Sequence, residues 1–311
     1  MEEKEKYRLV TRSNFDGIIS AALLKKLDMV EEILYVHPQD VQDGIVKVDE
    51  HDIVTNLPYV EGVHMAFDHM LDIHDKQIKL NAYHALFTDA GSVSEVIYEY
   101  YGGAEAFPDE VLPMIAAANR SKSARYTKED ILSPGGWDLL AFLTDPRTGL
   151  GRYKEYRISN YALMQELPDL CLQYDIDGIL ESPDVKERVE RYDASREQFV
   201  TQLQRCVEIE GDVAVIDLRN EETIYPGNRF MIYALYPDVS ASVHIFRGRD
   251  DRNTVFALGK SILNRSNEKD IYEIVSRYGG GGHKDVGTCQ VDHKDAERVR
   301  EEIIALLAAA R

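Results

Sequence analysis

Hydrophobic and polar positions along the first third of the chain follow a strand-and-helix rhythm. The run Tyr7-Arg8-Leu9-Val10-Thr11 predicts a strand, residues 12–17 a polar loop, and residues 18–27 a helix with an apolar face. That order is the opening βα unit of a parallel sheet. Residues 32–37 and 52–58 predict two further strands, the second closed by Pro58, which cannot donate to a ladder. From Val63 to Asp68 apolar and polar positions alternate as in a partly buried strand, with Met65 and Phe67 inward. Residues 85–89 precede a helix begun by Ser92 or Ser94, where Ser92-Val93-Ser94-Glu95 resembles a capping box, and the helix stops at Gly102-Gly103. Further helices are predicted over 109–118, 160–174 and 184–206.

After Glu210-Gly211-Asp212 the pattern changes. Residues 213–218, 230–236, 241–246 and 254–258 predict strands, and only two helices remain, near 271–278 and 294–309. The helix before this change is heavily charged (Lys186-Glu187-Arg188, Glu190-Arg191), which suits a solvated connector. The expected organisation is therefore an N-terminal domain over 1–184, a connector helix over 185–210 and a smaller C-terminal domain over 211–311. The expected fold class is α/β: a mainly parallel sheet flanked by helices, then a second, smaller α/β domain.

Length and composition agree with this. A chain of 311 residues, 44% hydrophobic and 29% charged, is of ordinary globular make-up and long enough for two domains. No apolar run is long enough to span a membrane, and the charged start Met1-Glu2-Glu3-Lys4-Glu5-Lys6 lacks the apolar core of a secretory signal. Cys171, Cys206 and Cys289 show no metal-like spacing and fit reduced thiols. A cytoplasmic protein is expected. The 36 basic and 55 acidic residues give a formal charge of -19, which repels long polyanions, so duplex DNA is a poor partner. A small phosphorylated ligand in a local basic pocket is still compatible with it.

The candidate chemistry lies at the strand ends. Asn14 and Asp16, Asn56, and the pair Asp68-His69 all fall on the carboxyl edge of one sheet, where open α/β folds place ligands. Carboxylate oxygen with imidazole nitrogen is also the ligand set of Mn²⁺- or Zn²⁺-type hydrolases. Asn14 and Asp16 serve equally well as caps of the following helix. In the C-terminal domain, Tyr278-Gly279-Gly280-Gly281-Gly282-His283 reads either as a flexible turn or as a glycine loop whose amides approach an anion, with His283 donating to phosphate. His37, His51, His64, His74, His84, His244 and His293 carry no motif.

Asn14-Phe15-Asp16-Gly17, Asp68-His69-Met70 and Gly279-Gly280-Gly281-Gly282-His283, in this order, resemble the DHH/DHHA1 phosphoesterase superfamily. That group includes RecJ-type exonucleases, oligoribonucleases, cyclic-dinucleotide phosphodiesterases, pyrophosphatases and exopolyphosphatases. His37-Pro38, Gln42-Asp43-Gly44, Asn56-Leu57-Pro58-Tyr59 and Arg147-Thr148-Gly149-Leu150-Gly151-Arg152 are similar to its exopolyphosphatase-like branch. The resemblance spans nearly the whole chain and implies a DHH-type domain followed by a DHHA1-type domain, with an active-site cleft expected between them. It implies two Mn²⁺ ions in the first domain that activate a water for attack on phosphorus. Mapped residue by residue, the metal positions are Asp16, Asp68, Asn14, Asn56 and Asn119, and Asp68 and His69 are catalytic. Substrate phosphates fall to His69, Arg265, Gly280, Gly281, Gly282 and His283, with Arg229 and Arg247 as further candidates and Asp89 as a further metal candidate. Pairing among relatives adds a homodimer to the expectations.

The chain departs from the motif at several of these positions. Asn14 stands for an aspartate, Met70 for a second histidine, Asn56 and Asn119 for acidic residues, and Lys122 is close by. Neutral amides and a thioether are poor ligands for a hard cation, and a lysine repels one. Two readings follow. Either the protein binds a nucleotide, short oligonucleotide or polyphosphate without turning it over, its Mn²⁺ site weakened or lost. Or it is an active metal-dependent phosphoesterase (exopolyphosphatase, oligoribonuclease or cyclic-dinucleotide phosphodiesterase) with a reduced metal site.

Overall fold

A computed structural model describes residues 5–69, 84–86 and 89–308. The chain divides into two compact units, residues 1–125 with 134–191, and residues 126–133 with 192–311.

The first unit is built on a five-stranded sheet in the order β2-β1-β3-β4-β5, with β1 Tyr7–Arg12, β2 Val30–Val36, β3 Asp52–Thr55, β4 Met65–Asp68 and β5 His84–Leu86. All four pairings are parallel. The chain leaves β1 toward β2 on one side and later returns to place β3 on the other. The carboxyl ends of β1 and β3 therefore flank the point where the sheet order reverses, which is where such sheets open a crevice.

The helix Phe15–Lys26 after β1 is apolar beyond the single face expected: every residue from Phe15 to Leu24 is buried. It packs against the helices Val93–Tyr100, Leu112–Ser123 and Asn160–Gln173, so it has no solvent side through most of its length. Val10, Val54, Leu57, Val63 and Ala66 form a second apolar cluster in this unit. The helix expected over 109–118 begins with a 3-10 turn, Asp109–Val111, and continues as Leu112–Ser123, which carries Asn119 and Lys122 in its last turns.

The connector expected over 185–210 is the helix Pro183–Cys206, and residues Val207–Glu210 are the edge strand β6. The division between the units falls inside that helix. β6 pairs antiparallel with β7 Val213–Asp217, which pairs parallel with β8 Ala241–Arg247; β9 Thr254–Lys260, β11 Val286–Val291 and β10 Gly281–His283 complete the sheet by antiparallel pairing. Inward residues of this sheet, Val215, Val243, Ile245, Phe256 and Leu258, pack on the helices Ile271–Ser276 and Ala296–Ala308 through Ile271, Val275, Val299 and Ile303. The strand expected over 230–236 is instead a helix, Met231–Leu235. Met231, Ile232, Tyr233 and Ala234 are buried in succession, and so short a buried run carries no periodicity to separate the two. Among the described residues no helix is long and apolar enough to cross a membrane.

Candidate functional site

The carboxyl edge of the first sheet gathers Asn14, Asp16, Asn56, Asp68 and His69 with residues of two helices. Asn14 caps the helix that follows it: its Oδ1 accepts from the Gly17 amide at 2.8 Å. Asp16 caps a different helix, reached only by tertiary folding. Its Oδ1 accepts from the Ser94 amide at 3.0 Å and from the Ser94 hydroxyl at 2.6 Å, and its Oδ2 accepts from the Val93 amide at 3.2 Å. These amides open the helix Val93–Tyr100, so a 2% exposed carboxylate answers both free N–H groups and the positive end of the helix.

Ser92 is the N-cap of that helix, as the capping box predicts. Its Oγ accepts from the Glu95 amide at 3.2 Å and Glu95 reaches back to the Gly91 amide at 2.5 Å. The same hydroxyl donates to Asn119 Oδ1 at 2.6 Å. Lys122, one turn along from Asn119, places its Nζ 3.1 Å from Asn56 Oδ1 and 3.7 Å from Asp16 Oδ2. Asn56 holds a left-handed backbone, φ 59°, directly after β3. Such a conformation is uncommon outside glycine and aims the side chain off the strand.

Asp68 ends β4, and its Oδ1 accepts from the His69 amide at 2.8 Å. The His69 ring is 9% exposed, and its Nδ1 and Asn56 Nδ2 are buried with no hydrogen-bond partner among the described residues. Burial lowers the His69 pKa, and the Lys122 ammonium lowers it further against the opposing pull of Asp16, Asp68 and Glu95. His84, read as a bystander, is buried on β5 beside Ala66 with both ring nitrogens unpartnered among the described residues. Its ring stacks on Tyr59, centroids 4.8 Å apart. Asp89 is exposed in a turn, and Met70 lies outside the described residues.

The metal positions fit a pair of cations poorly. Both Asp16 oxygens are engaged, the Asn14 and Asn119 carbonyls already accept hydrogen bonds, and Asn56 Oδ1 faces an ammonium. The acid and imidazole that this edge presents side by side are, among the described residues, the Asp68 carboxylate and His69. Among the described residues the one cluster with three carboxylate or imidazole ligand atoms within 4.8 Å of one another is exposed, Asp49, Glu50 and His51, away from this edge.

In the second unit the glycine run is half strand. Gly281–His283 forms β10, paired with β11, and His283 Nδ1 accepts from the Asp285 amide at 3.3 Å. Arg265 Nε donates to the Ile262 carbonyl at 3.1 Å. Arg247 is paired with Asp251 at 2.8 Å and Arg229 lies over the Phe230 ring, 3.9 Å from its centroid.

A parallel 2-1-3-4-5 sheet with acid and imidazole at its carboxyl edge, followed by a mixed-sheet unit, matches the fold of DHH/RecJ-like proteins. The chain belongs to the DHH superfamily and shares a family with the pGpG-specific phosphodiesterase PggH from Vibrio cholerae. The two are 47% identical with a TM-score of 0.84, covering 98% of this chain and 99% of that chain. RecJ from Thermus thermophilus, solved in complex with Mn²⁺, shares the fold at 13% identity and a TM-score of 0.56 over 99% of this chain and 53% of that chain. CDC45 from Entamoeba histolytica does so at 8% identity and 0.56, over 99% and 96%. A stretch of 78 residues, 23% of this chain, is 30% identical to the A-adding tRNA nucleotidyltransferase of Aquifex aeolicus but spans only 10% of that protein. No family model matches the chain.

Proposed function

We propose that the protein is a phosphodiesterase that cleaves a short linear dinucleotide of the pGpG type into two mononucleotides. The observation that carries this reading is the full-length 47% identity to a pGpG-specific phosphodiesterase. Water adds to the bridging phosphorus, the bond to the departing 3′ oxygen breaks, and that oxygen takes up a proton. Asp68 and His69 are the residues we assign to the reacting phosphate, since they keep acid and imidazole together at the sheet edge. A divalent ion, as in the RecJ complex, would be held by these two and would supply charge neutralisation. To Arg265, Gly280, Gly281, Gly282 and His283 we assign the remaining phosphate.

Polyphosphate, the substrate class of the branch that the sequence resembles, is the natural competitor in the same assay. The purified protein is incubated with pGpG, with a cyclic dinucleotide and with polyphosphate, each with Mn²⁺, Mg²⁺ or EDTA, and products are resolved by chromatography. Release of GMP from pGpG, lost by at least a hundredfold in Asp68→Ala, is the expected result. Tight pGpG binding with no GMP under any metal would favour a second reading, binding without hydrolysis. The engaged state of Asp16 and the ammonium beside it favour that one.

A further inference from the structure

We propose that the Lys122 ammonium is the resident cation of the sheet edge, filling the corner between Asp16 and Asn56 so that no divalent ion is bound through Asp16. This goes beyond the reading above and holds whether or not pGpG is cleaved.

Three observations converge on that corner. The Asp16 side chain is 1% exposed, and a carboxylate so deeply buried needs a compensating charge; Lys122, itself 27% exposed, is the cation the structure sets beside it. Asn56 turns its Oδ1 onto the same ammonium from a left-handed backbone, which asparagine adopts more readily than most residues other than glycine. The Lys122 helix is pinned just ahead of that residue: Ser92 binds Asn119, and Arg120 pairs with Asp138 at 2.5 Å. The ammonium is thus delivered by a fixed element to the one corner where a carboxylate and an amide oxygen converge. A metal ion bound through Asp16 would sit within a few ångströms of a like charge and would have to share the carboxylate with the amides of Val93 and Ser94.

Calorimetric titration of Mn²⁺ into the EDTA-stripped protein tests this directly, with turnover left out of the readout. Asp16→Asn is expected to leave the wild-type Mn²⁺ affinity within twofold, because Asp16 holds no ion. Lys122→Asp is expected to tighten Mn²⁺ binding at least tenfold or to add a site, and the double variant Lys122→Asp/Asp16→Asn to lose that gain. Lys122→Gln, which keeps a donor for Asn56 without the charge, should tighten it by a smaller factor. Circular dichroism melts establish which variants are folded. A tenfold loss of Mn²⁺ affinity in Asp16→Asn overturns the proposal, as does a folded Lys122→Asp with unchanged affinity. If Lys122→Asp does not fold, an unchanged Lys122→Gln overturns it. The pGpG assay can fail without touching any of these outcomes.

Discussion

At the scale of single residues, Asp16 shows how much a polar side chain at a strand end can be asked to do. Its carboxylate accepts two backbone amides and a hydroxyl from a helix that begins 77 residues later in the chain. Loss of such a cap costs about 1–2 kcal/mol, and leaving buried donors unanswered adds about as much again. Asp16→Ala is therefore expected to lower stability by about 3 kcal/mol in metal-free buffer, measured by urea unfolding. A carboxylate kept only to hold an ion would behave in the opposite way, because removing it without metal relieves a buried charge. The sequence showed that Asn14, Asp16, Asn56, Asp68 and His69 share one edge, since strand ends and loop lengths are local. It could not show the partners of Asp16, Asn119 or Asn56, because those pairs join residues 27 to 78 positions apart. Lys122 was visible only as a nearby charge, and its direct line to Asn56 and Asp16 is a product of the fold.

At the scale of elements, what marks the first sheet and its helices in the sequence is the length of the apolar runs and the polar residues that bound them. The strands at Tyr7–Arg12, Asp52–Thr55 and Met65–Asp68 and the helix Phe15–Lys26 lie close to where the chain places them, although β3 and most of that helix are buried on every side. In the segment Met231–Leu235 four successive buried residues give no period, so a short helix there reads as a strand. The glycine run is a different case, a motif whose chemistry was legible but whose architecture was not. A Cβ on Gly282 would run into the Val286 carbonyl and the Gly287 Cα, and one on Gly280 into the Thr288 and Val275 carbonyls. Gly281 has open space around it. Two of the four glycines are thus needed to let β10 lie against β11 and the preceding helix. Gly282→Ala is expected to destabilise the second unit by about 2 kcal/mol, within the range of overpacked core sites, and Gly281→Ala by well under about 1 kcal/mol. Thermal melts of the two variants separate them. If Gly281→Ala, the packing-neutral change, weakens pGpG binding, the amide face of this strand is part of the ligand site.

At the scale of the whole molecule, acid brings two opposing effects into play. With 55 acidic against 36 basic side chains the folded chain repels itself at neutral pH, and protonation relieves that repulsion as pH falls. Histidines pull the other way. Burial lowers the pKa of His69 and of His84, and burial together with Arg229 pulls His244 down to about 4. Above pH 6.5 such a histidine is neutral in both the folded and unfolded chain and contributes no pH dependence. Below it the unfolded chain takes up a proton that the folded chain refuses, so stability is lost from pH 6.5 down to the folded value and levels off beneath it. For His244 alone the loss between pH 7 and pH 5 is about 2 kcal/mol. Relief of surface repulsion is spread over many screened, exposed charges and is smaller at physiological salt. The wild type is therefore expected to lose stability from pH 7 to pH 5 at about 0.15 M salt. His244→Gln should lose about 2 kcal/mol less over the same interval in urea unfolding at both pH values. Parallel pH profiles for the two proteins would mean that His244 protonates as freely in the fold as in the open chain.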